Sequence, residues 1–169
     1  RDHGRAIVMP NLRPPVVSAE DAQAYYQRIL THRPAGNGFE PLMTLYLTDN
    51  TTSEMIHDAA DSGVVKAVKV YPAGATTNSD SGVTDIRALY PVFETMSERG
   101  IKLLIHGEVT DSSVDIFERE AAFLGSYLDD IVRTFPDLKV VLEHITTTEA
   151  VRFVENSPEN LAATITPHH

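Results

Sequence analysis

The sequence has 169 residues, of which 42% are hydrophobic and 22% are charged, and it contains no cysteine. This composition is typical of a single globular domain, and the lack of cysteine excludes disulfides and thiolate metal sites. The formal net charge of −10 argues against nucleic acid as a partner, since phosphate binding needs a basic surface. No apolar run is long enough to cross a membrane. We therefore expect a cytoplasmic protein, or an organellar one if a transit peptide precedes Arg1.

Apolar runs alternate with amphipathic stretches along the whole chain, which predicts alternating strands and helices. In chain order the pattern predicts a strand over 6–11, a helix over 18–31, a strand over 41–47, a helix over 52–62, a strand over 64–71, a helix over 84–99, a strand over 102–106, a helix over 114–134, a strand over 139–144, a helix over 147–156 and a strand over 161–166. Ser18 and Thr84 are the expected N-caps of their helices, and Gly63 is expected to end the second helix.

Strands that are nearly continuous apolar runs, separated by helices, indicate a parallel sheet covered by helices. Two architectures meet this description, a (β/α)8 barrel and an open doubly wound sheet. No glycine-rich phosphate turn follows any predicted strand, which favours the barrel. A complete barrel needs about 250 residues, so six strand–helix units fit a TIM barrel with two units outside this chain.

Three residues suited to metal chemistry lie at or near the carboxyl ends of three successive predicted strands. Lys69, His106 and His144 are separated by roughly one strand–helix unit each, and such strand ends converge on one face of a parallel barrel. Two neutral imidazoles there can bind a divalent ion, of which zinc is the most plausible. Burial would lower the pKa of Lys69 and free its amine to react with carbon dioxide, giving a carbamate that can bridge two metals.

Each of these residues also has a simpler interpretation. A lone strand histidine is more often a hydrogen-bonded core residue than a ligand, and a lone strand lysine is more often salt-bridged. Strand alternation puts Lys66 on the outer face, opposite Lys69, and puts Tyr71 on the same face as Lys69. By the same alternation Glu143 is expected to face the helices, next to His144. Glu108 is a candidate for hydrogen bonding to His106.

Four segments resemble the dihydroorotases of the bacterial single-function type, and the similarity covers essentially all 169 residues. These segments are residues 4–15 (GRAIVMPNLRPP), 69–79 (KVYPAGATTNS), 104–110 (LIHGEVT) and 143–147 (EHITT). The resemblance implies a TIM barrel of the amidohydrolase superfamily that holds two zinc ions. It also implies a homodimer that acts on a small-molecule substrate in pyrimidine synthesis, by reversible hydrolysis of L-dihydroorotate to N-carbamoyl-L-aspartate.

The resemblance assigns roles to individual positions. Lys69 matches the carboxylated lysine that bridges both zinc ions, and His106 and His144 match the two ligands of the more exposed zinc. Asn11 matches the residue that hydrogen-bonds the carboxylate of the substrate. Thr76 and Thr77 match the tip of a mobile lid, where small hydroxyl side chains suit a loop that moves and then donates hydrogen bonds.

Part of the family's site has no match in this chain. The His-x-His pair, the substrate-binding arginine and the catalytic aspartate lie on barrel strands one and eight, whereas the six predicted strands correspond to strands two to seven. We therefore expect residues 1–169 to form a single incomplete amidohydrolase barrel domain that is inactive alone. His168 and His169 match no motif and are not expected to be ligands. Two alternatives stay open, another cyclic amidohydrolase of the hydantoinase or allantoinase type and a non-catalytic homologue that acts as a scaffold.

Overall fold

Six parallel strands form the sheet at the centre of the computed structural model, which describes residues 4–167. Each strand is hydrogen-bonded to the next one along the chain, so the order in the sheet is the order in the sequence. The strands are β1 (Arg5–Val8), β2 (Glu40–Tyr46), β3 (Val65–Val70), β4 (Lys102–His106), β5 (Val140–Glu143) and β6 (Leu161–Ala163).

This sequential order separates the two predicted architectures. A doubly wound sheet reverses direction at a switch point, where consecutive strands are no longer neighbours. In this sheet every crossover advances the chain by one strand in the same direction, as in a barrel, and no reversal occurs among the six strands of residues 4–167. The predicted α/β fold of the barrel type is therefore confirmed, as a curled half-barrel of six strands.

Helices connect successive strands. They are α1 (Ala19–Thr31), α2 (Ser53–Asp61), α3 (Tyr90–Arg99), α4 (Arg119–Phe123), α5 (Asp129–Thr134) and α6 (Thr148–Glu155). The predicted cap at Ser18 is confirmed, because its hydroxyl accepts a hydrogen bond from the backbone N–H of Asp21 at 3.1 Å. Gly63 has a φ of +71°, a conformation that glycine adopts without steric cost, and it ends the turn after α2 as predicted. Among residues 4–167, the helices all fall short of the length and apolar character needed to cross a bilayer.

Thr84 does not cap a helix, so that prediction is wrong. Its backbone N–H and hydroxyl both donate to the carboxylate of Asp49, at 2.9 and 2.7 Å. A short 3₁₀ turn, Arg87–Leu89, follows, and α3 begins only at Tyr90. Pro91 lies in the first turn of α3, where its fixed φ suits the start of a helix.

The helix predicted over 114–134 is not a regular α-helix. Asp115 begins it by accepting a hydrogen bond from the N–H of Phe117 at 3.0 Å, and a 3₁₀ turn, Ile116–Glu118, leads into α4. One turn of π-helix, Leu124–Leu128, then separates α4 from α5. Gly125 lies in this turn, where its low helix propensity weakens the regular α-helical arrangement. The apolar periodicity predicted the segment correctly but not its irregular hydrogen bonding.

The hydrophobic core lies between the sheet and the helices. Alternate strand residues, including Val68, Val70, Leu103 and Ile105, are buried there with side chains of the helices such as Phe93. The strand residues between them point to the other, inner side of the curl, because successive side chains of a strand alternate. Functional side chains are therefore expected on that inner side, near the carboxyl ends of the strands.

Candidate metal and substrate site

The register of the strands aligns several polar side chains on the inner side of the sheet. Lys69 pairs with Leu104 of β4, and His106, two residues further on, pairs with Glu143 of β5. Residues at paired positions in adjacent strands point the same way. Lys69, His106 and Glu143 therefore all face the interior of the half-barrel near the ends of their strands.

Lys69 is fully buried, with 1% of its surface exposed. Its Nζ forms an ion pair with the Oε2 of Glu143 and lies 5.1 Å from the centre of the Tyr71 ring. Burial lowers the pKa of the Lys69 amine below its usual range, and the nearby carboxylate of Glu143 opposes that shift. Lys66, by contrast, is exposed on the outer face, where it donates to the carbonyl of Gly63 at 2.6 Å. Both predicted orientations are confirmed.

The prediction that Glu143 faces the helices is wrong. It assumed regular alternation between Glu143 and His144, so that only one of them could point inward. His144 has a φ of +47°, in the left-handed region that few residues other than glycine adopt. This conformation breaks the alternation, and both neighbours are on the inner side, where Glu143 contacts Lys69 and His144 contacts His106.

The two histidines meet at the ends of β4 and β5. The Nδ1 of His106 lies 3.1 Å from the Nε2 of His144. Zinc binds imidazole nitrogen at about 2.0–2.1 Å in tetrahedral geometry, which separates two such nitrogens by about 3.3 Å. The donor pair therefore fits a shared zinc ion. Burial lowers the pKa of His144, and the positive charge of Lys69 lowers it further, which favours the neutral form that a metal needs.

Glu108 holds the other side of the His106 ring, as its candidate role suggested. The Nε2 of His106 donates to the Oε2 of Glu108 at 2.6 Å, and this hydrogen bond, more than any other contact, lowers the pKa of Glu108. Because a carboxylate can only accept, the proton of a neutral His106 ring lies on Nε2 and the lone pair of Nδ1 points at His144. A histidine oriented in this way by a carboxylate is typical of metal sites.

Among residues 4–167, the side chains suited to metal binding do not form a complete set of ligands. Within residues 4–167, no group of three or more His, Cys, Asp or Glu side chains is arranged to hold an ion. Lys69 would become a ligand only if it were carboxylated. The structure thus brings together the three predicted ligands, Lys69, His106 and His144, and their role as ligands stays a prediction. His168 and His169 lie outside the described residues.

The three predicted substrate-binding residues lie in two loops that contact each other. Asn11 follows β1, and its side-chain N–H donates to the carbonyl of Thr77 at 3.4 Å. Asn78 donates to the carbonyl of Asn11 at 3.1 Å and accepts from Arg13 at 2.7 Å. Thr76 and Thr77 are both exposed, with their hydroxyls available to a ligand. Binding of substrate by these residues stays a prediction.

Sequence reasoning missed Tyr46, which connects this loop to the metal-type cluster. Its hydroxyl donates to the carbonyl of Asn78 at 3.2 Å, and its ring stacks on that of Tyr71 at 5.1 Å. Tyr71 in turn lies beside Lys69 and, at 6.3 Å between ring centres, beside His106. The pairing of Tyr46 with Lys69 across β2 and β3 is the signal that would have found it, but a single sequence does not reveal register.

Residues 6–166 match the model of the amidohydrolase family, and the chain therefore belongs to that family. The dihydroorotase of Neisseria meningitidis serogroup C is 59% identical over 169 residues, which are 100% of this chain and 49% of that protein. The dihydroorotase of Shewanella sp. (strain ANA-3) is 61% identical over 166 residues, 98% of this chain and 48% of that protein. The chain thus spans about half the length of the curated relatives it matches.

Solved structures of dihydroorotases also match this chain. The dihydroorotase of Campylobacter jejuni matches with a TM-score of 0.89 and 43% identity, over 100% of this chain and 48% of that one. The dihydroorotase of Saccharomyces cerevisiae, solved in complex with 5-fluoroorotic acid, matches with a TM-score of 0.87 and 35% identity, over 98% of this chain and 49% of that one. A D-hydantoinase from Bacillus sp. AR9 matches with a TM-score of 0.65 over 98% of this chain and 40% of that one, but at 11% identity it shows only a shared fold.

Proposed function

We propose that this chain is the central part of a dihydroorotase, with its six strands in the places of barrel strands two to seven. The complete protein would reversibly hydrolyse L-dihydroorotate to N-carbamoyl-L-aspartate, a reaction of pyrimidine synthesis. Identity of 59–61% to dihydroorotases over the whole chain supports this substrate. The hydantoinase alternative has only a shared fold in its favour, at 11% identity.

The convergence of Lys69, His106 and His144 at neighbouring strand ends is the observation that carries the proposal. Two imidazole nitrogens 3.1 Å apart beside a buried primary amine suit a zinc site that a carbamate completes. The neutral amine of Lys69 would add to carbon dioxide, forming an N–C bond and releasing one proton. Two zinc ions per site would need further ligands from strands one and eight. Bound zinc supplies Lewis acidity at the amide carbonyl and a more acidic water.

The chain's own residues would hold and shield the substrate. Asn11 would donate its amide N–H to the carboxylate of the substrate, and the hydroxyls of Thr76 and Thr77 would close over it. This arrangement would orient the ring carbonyl and exclude bulk water. Water would then add to the carbonyl carbon, the ring C–N bond would break, and the leaving nitrogen would take up a proton.

Substrate specificity of the purified complete protein tests this proposal. We expect cyclisation of carbamoyl-aspartate and opening of dihydroorotate, with neither hydantoin nor allantoin opened. Chelation should abolish turnover, and added zinc should restore it. A protein that opens hydantoin but does not cyclise carbamoyl-aspartate would contradict the proposed substrate. A scaffold homologue would instead show no turnover on any of these substrates and substoichiometric zinc.

We further propose that the complete protein is a cytoplasmic homodimer. The net charge of −10 on these 169 residues favours solubility and disfavours contact with nucleic acid. Light scattering after size-exclusion chromatography measures the mass directly, and a monomer at micromolar concentration would contradict the dimer.

A further inference from the structure

We propose that Glu120 is a positioning residue, which fixes the loop that carries His144 and thereby the affinity of the site for zinc. Glu120 lies on α4, outside the strands, and its carboxylate binds Thr146 and Thr147, which follow His144. The inference rests on the proposed function, because it takes His144 as a zinc ligand. It assigns a role in metal binding to a side chain that acts through the loop and not as a ligand.

Glu120 is buried, with 7% of its surface exposed, and both carboxylate oxygens accept hydrogen bonds from two consecutive residues. Its Oε1 accepts from the N–H of Thr146 at 3.1 Å, and from the N–H and hydroxyl of Thr147 at 3.3 and 3.0 Å. Its Oε2 accepts from the N–H and hydroxyl of Thr146 at 2.9 and 2.7 Å. A buried carboxylate is costly unless hydrogen bonds satisfy it. The five hydrogen bonds from this loop satisfy both oxygens of Glu120.

The loop needs such support because of the backbone at His144. A non-glycine residue at positive φ is strained and persists only when its surroundings fix it. On one side, the hydroxyl of Thr164 accepts from the N–H of His144 at 2.8 Å, and the carbonyl of Thr164 accepts from Ile145 at 3.0 Å. On the other side Glu120 holds Thr146, two residues after His144. The histidine is thus fixed between Thr164, which follows β6, and Glu120 of α4.

Thr147 joins this contact to the helix that follows. Its hydroxyl donates to Glu120 and also accepts from the N–H of Ala150 at 3.2 Å, which caps α6. A small displacement of the loop would therefore move the His144 ring relative to His106. Zinc affinity depends strongly on such outer contacts, whose loss typically costs about 10–100-fold.

Substitution of Glu120 in the complete protein tests the proposal. Glu120→Gln keeps the size of the side chain but replaces one acceptor with a donor that faces N–H groups. We expect it to weaken the affinity for one zinc ion per site about tenfold, measured by competition with a chromophoric chelator. Hydrogen exchange at Thr146 and Thr147 should accelerate in the same variant. Glu120→Asp, which keeps the charge, should give a smaller loss.

Glu118→Gln is the matched control, since Glu118 is exposed two residues earlier in the chain, and its zinc affinity should be unchanged. If Glu120→Gln does not fold, Thr146→Val removes a single hydroxyl contact to the same carboxylate and should weaken zinc binding in the same direction. Unchanged zinc affinity in folded Glu120→Gln or in Thr146→Val would overturn this role of Glu120. The proposed dihydroorotase function would still stand. Absence of zinc and turnover in the unsubstituted protein would instead overturn the proposed function.

Discussion

The Nδ1 of His106 and the Nε2 of His144 face each other at 3.1 Å across the ends of two neighbouring strands. Two lone pairs cannot point at one another at this distance without repulsion, so either a proton or a cation must lie between the rings. Because His106 directs its own proton at Glu108, a proton between the rings must belong to His144. A divalent cation that binds there would displace that proton.

Glu108→Ala should weaken zinc binding without unfolding the protein. Loss of the carboxylate frees the His106 ring to rotate and to take the other tautomer, and we expect affinity for one zinc ion to fall by about 10–100-fold. Isothermal titration of the metal-free complete protein measures this. Glu94→Ala, at an exposed position on α3, is the control and should behave like the unsubstituted protein.

Loss of one partner of the buried pair of Lys69 and Glu143 should lower the free energy of unfolding more than loss of both partners. Lys69→Met leaves the carboxylate of Glu143 largely buried without its cation, which costs about 3–5 kcal/mol for a buried pair. The double variant with Glu143→Leu should recover a large part of that loss. Urea unfolding of the metal-free complete protein gives the free energies. Equal stability of the single and double variants would contradict the expected cost of an unpaired carboxylate at Glu143.

Lys69→Met should also abolish carboxylation and reduce the bound zinc, because methionine has no amine to react with carbon dioxide. Lys66→Met is the matched control, since Lys66 is exposed on the opposite face of the same strand. Elemental analysis of both variants provides the comparison. Full zinc content in Lys69→Met would contradict the assignment of Lys69 as a bridging ligand.

Asn11→Ala should raise the KM for dihydroorotate more than it lowers kcat. A hydrogen bond to a charged group contributes about 1.5–3 kcal/mol, which corresponds to a rise in KM of about tenfold or more. The side chain of Asn11 also supports the carbonyl of Thr77, so kcat should fall slightly. Asn50→Ala, exposed after β2, serves as control. An unchanged KM would remove Asn11 from the substrate site.

Gly82→Ala should disturb the loop that carries Thr76 and Thr77. A Cβ atom at Gly82 would collide with the backbone carbonyl oxygens of Tyr71 and Ser79, which cannot move away as a flexible side chain would. We expect the free energy of unfolding to fall by about 1–3 kcal/mol, as for overpacking in general. The fall is measured as a lower melting temperature. Gly38→Ala, where nothing lies within 4 Å of the new atom, should leave the melting temperature unchanged.

Apolar periodicity was sufficient to predict all six strands, because each is a short, mostly apolar run between helices, and it placed Lys69 correctly inside and Lys66 outside. It failed where a single backbone torsion or a distant contact decides the outcome. Nothing in the local sequence indicates that His144 adopts a positive φ, and so the orientation of Glu143 was predicted wrongly. Thr84 was assigned as a cap because its partner, Asp49, is 35 positions away. Likewise, Glu120 meets Thr146 only through tertiary packing.

The positive φ of His144 limits the residue types that position 144 can accept. A regular strand presents only every second side chain to a given face, whereas the end of β5 presents two in succession. Under the proposed function, the residue at 144 has to satisfy two independent demands, a side chain that can bind a cation and a backbone that accepts positive φ. Histidine, asparagine and aspartate are the side chains enriched in that backbone region. Sequence drift at this position should accordingly be confined to a very small set of residues.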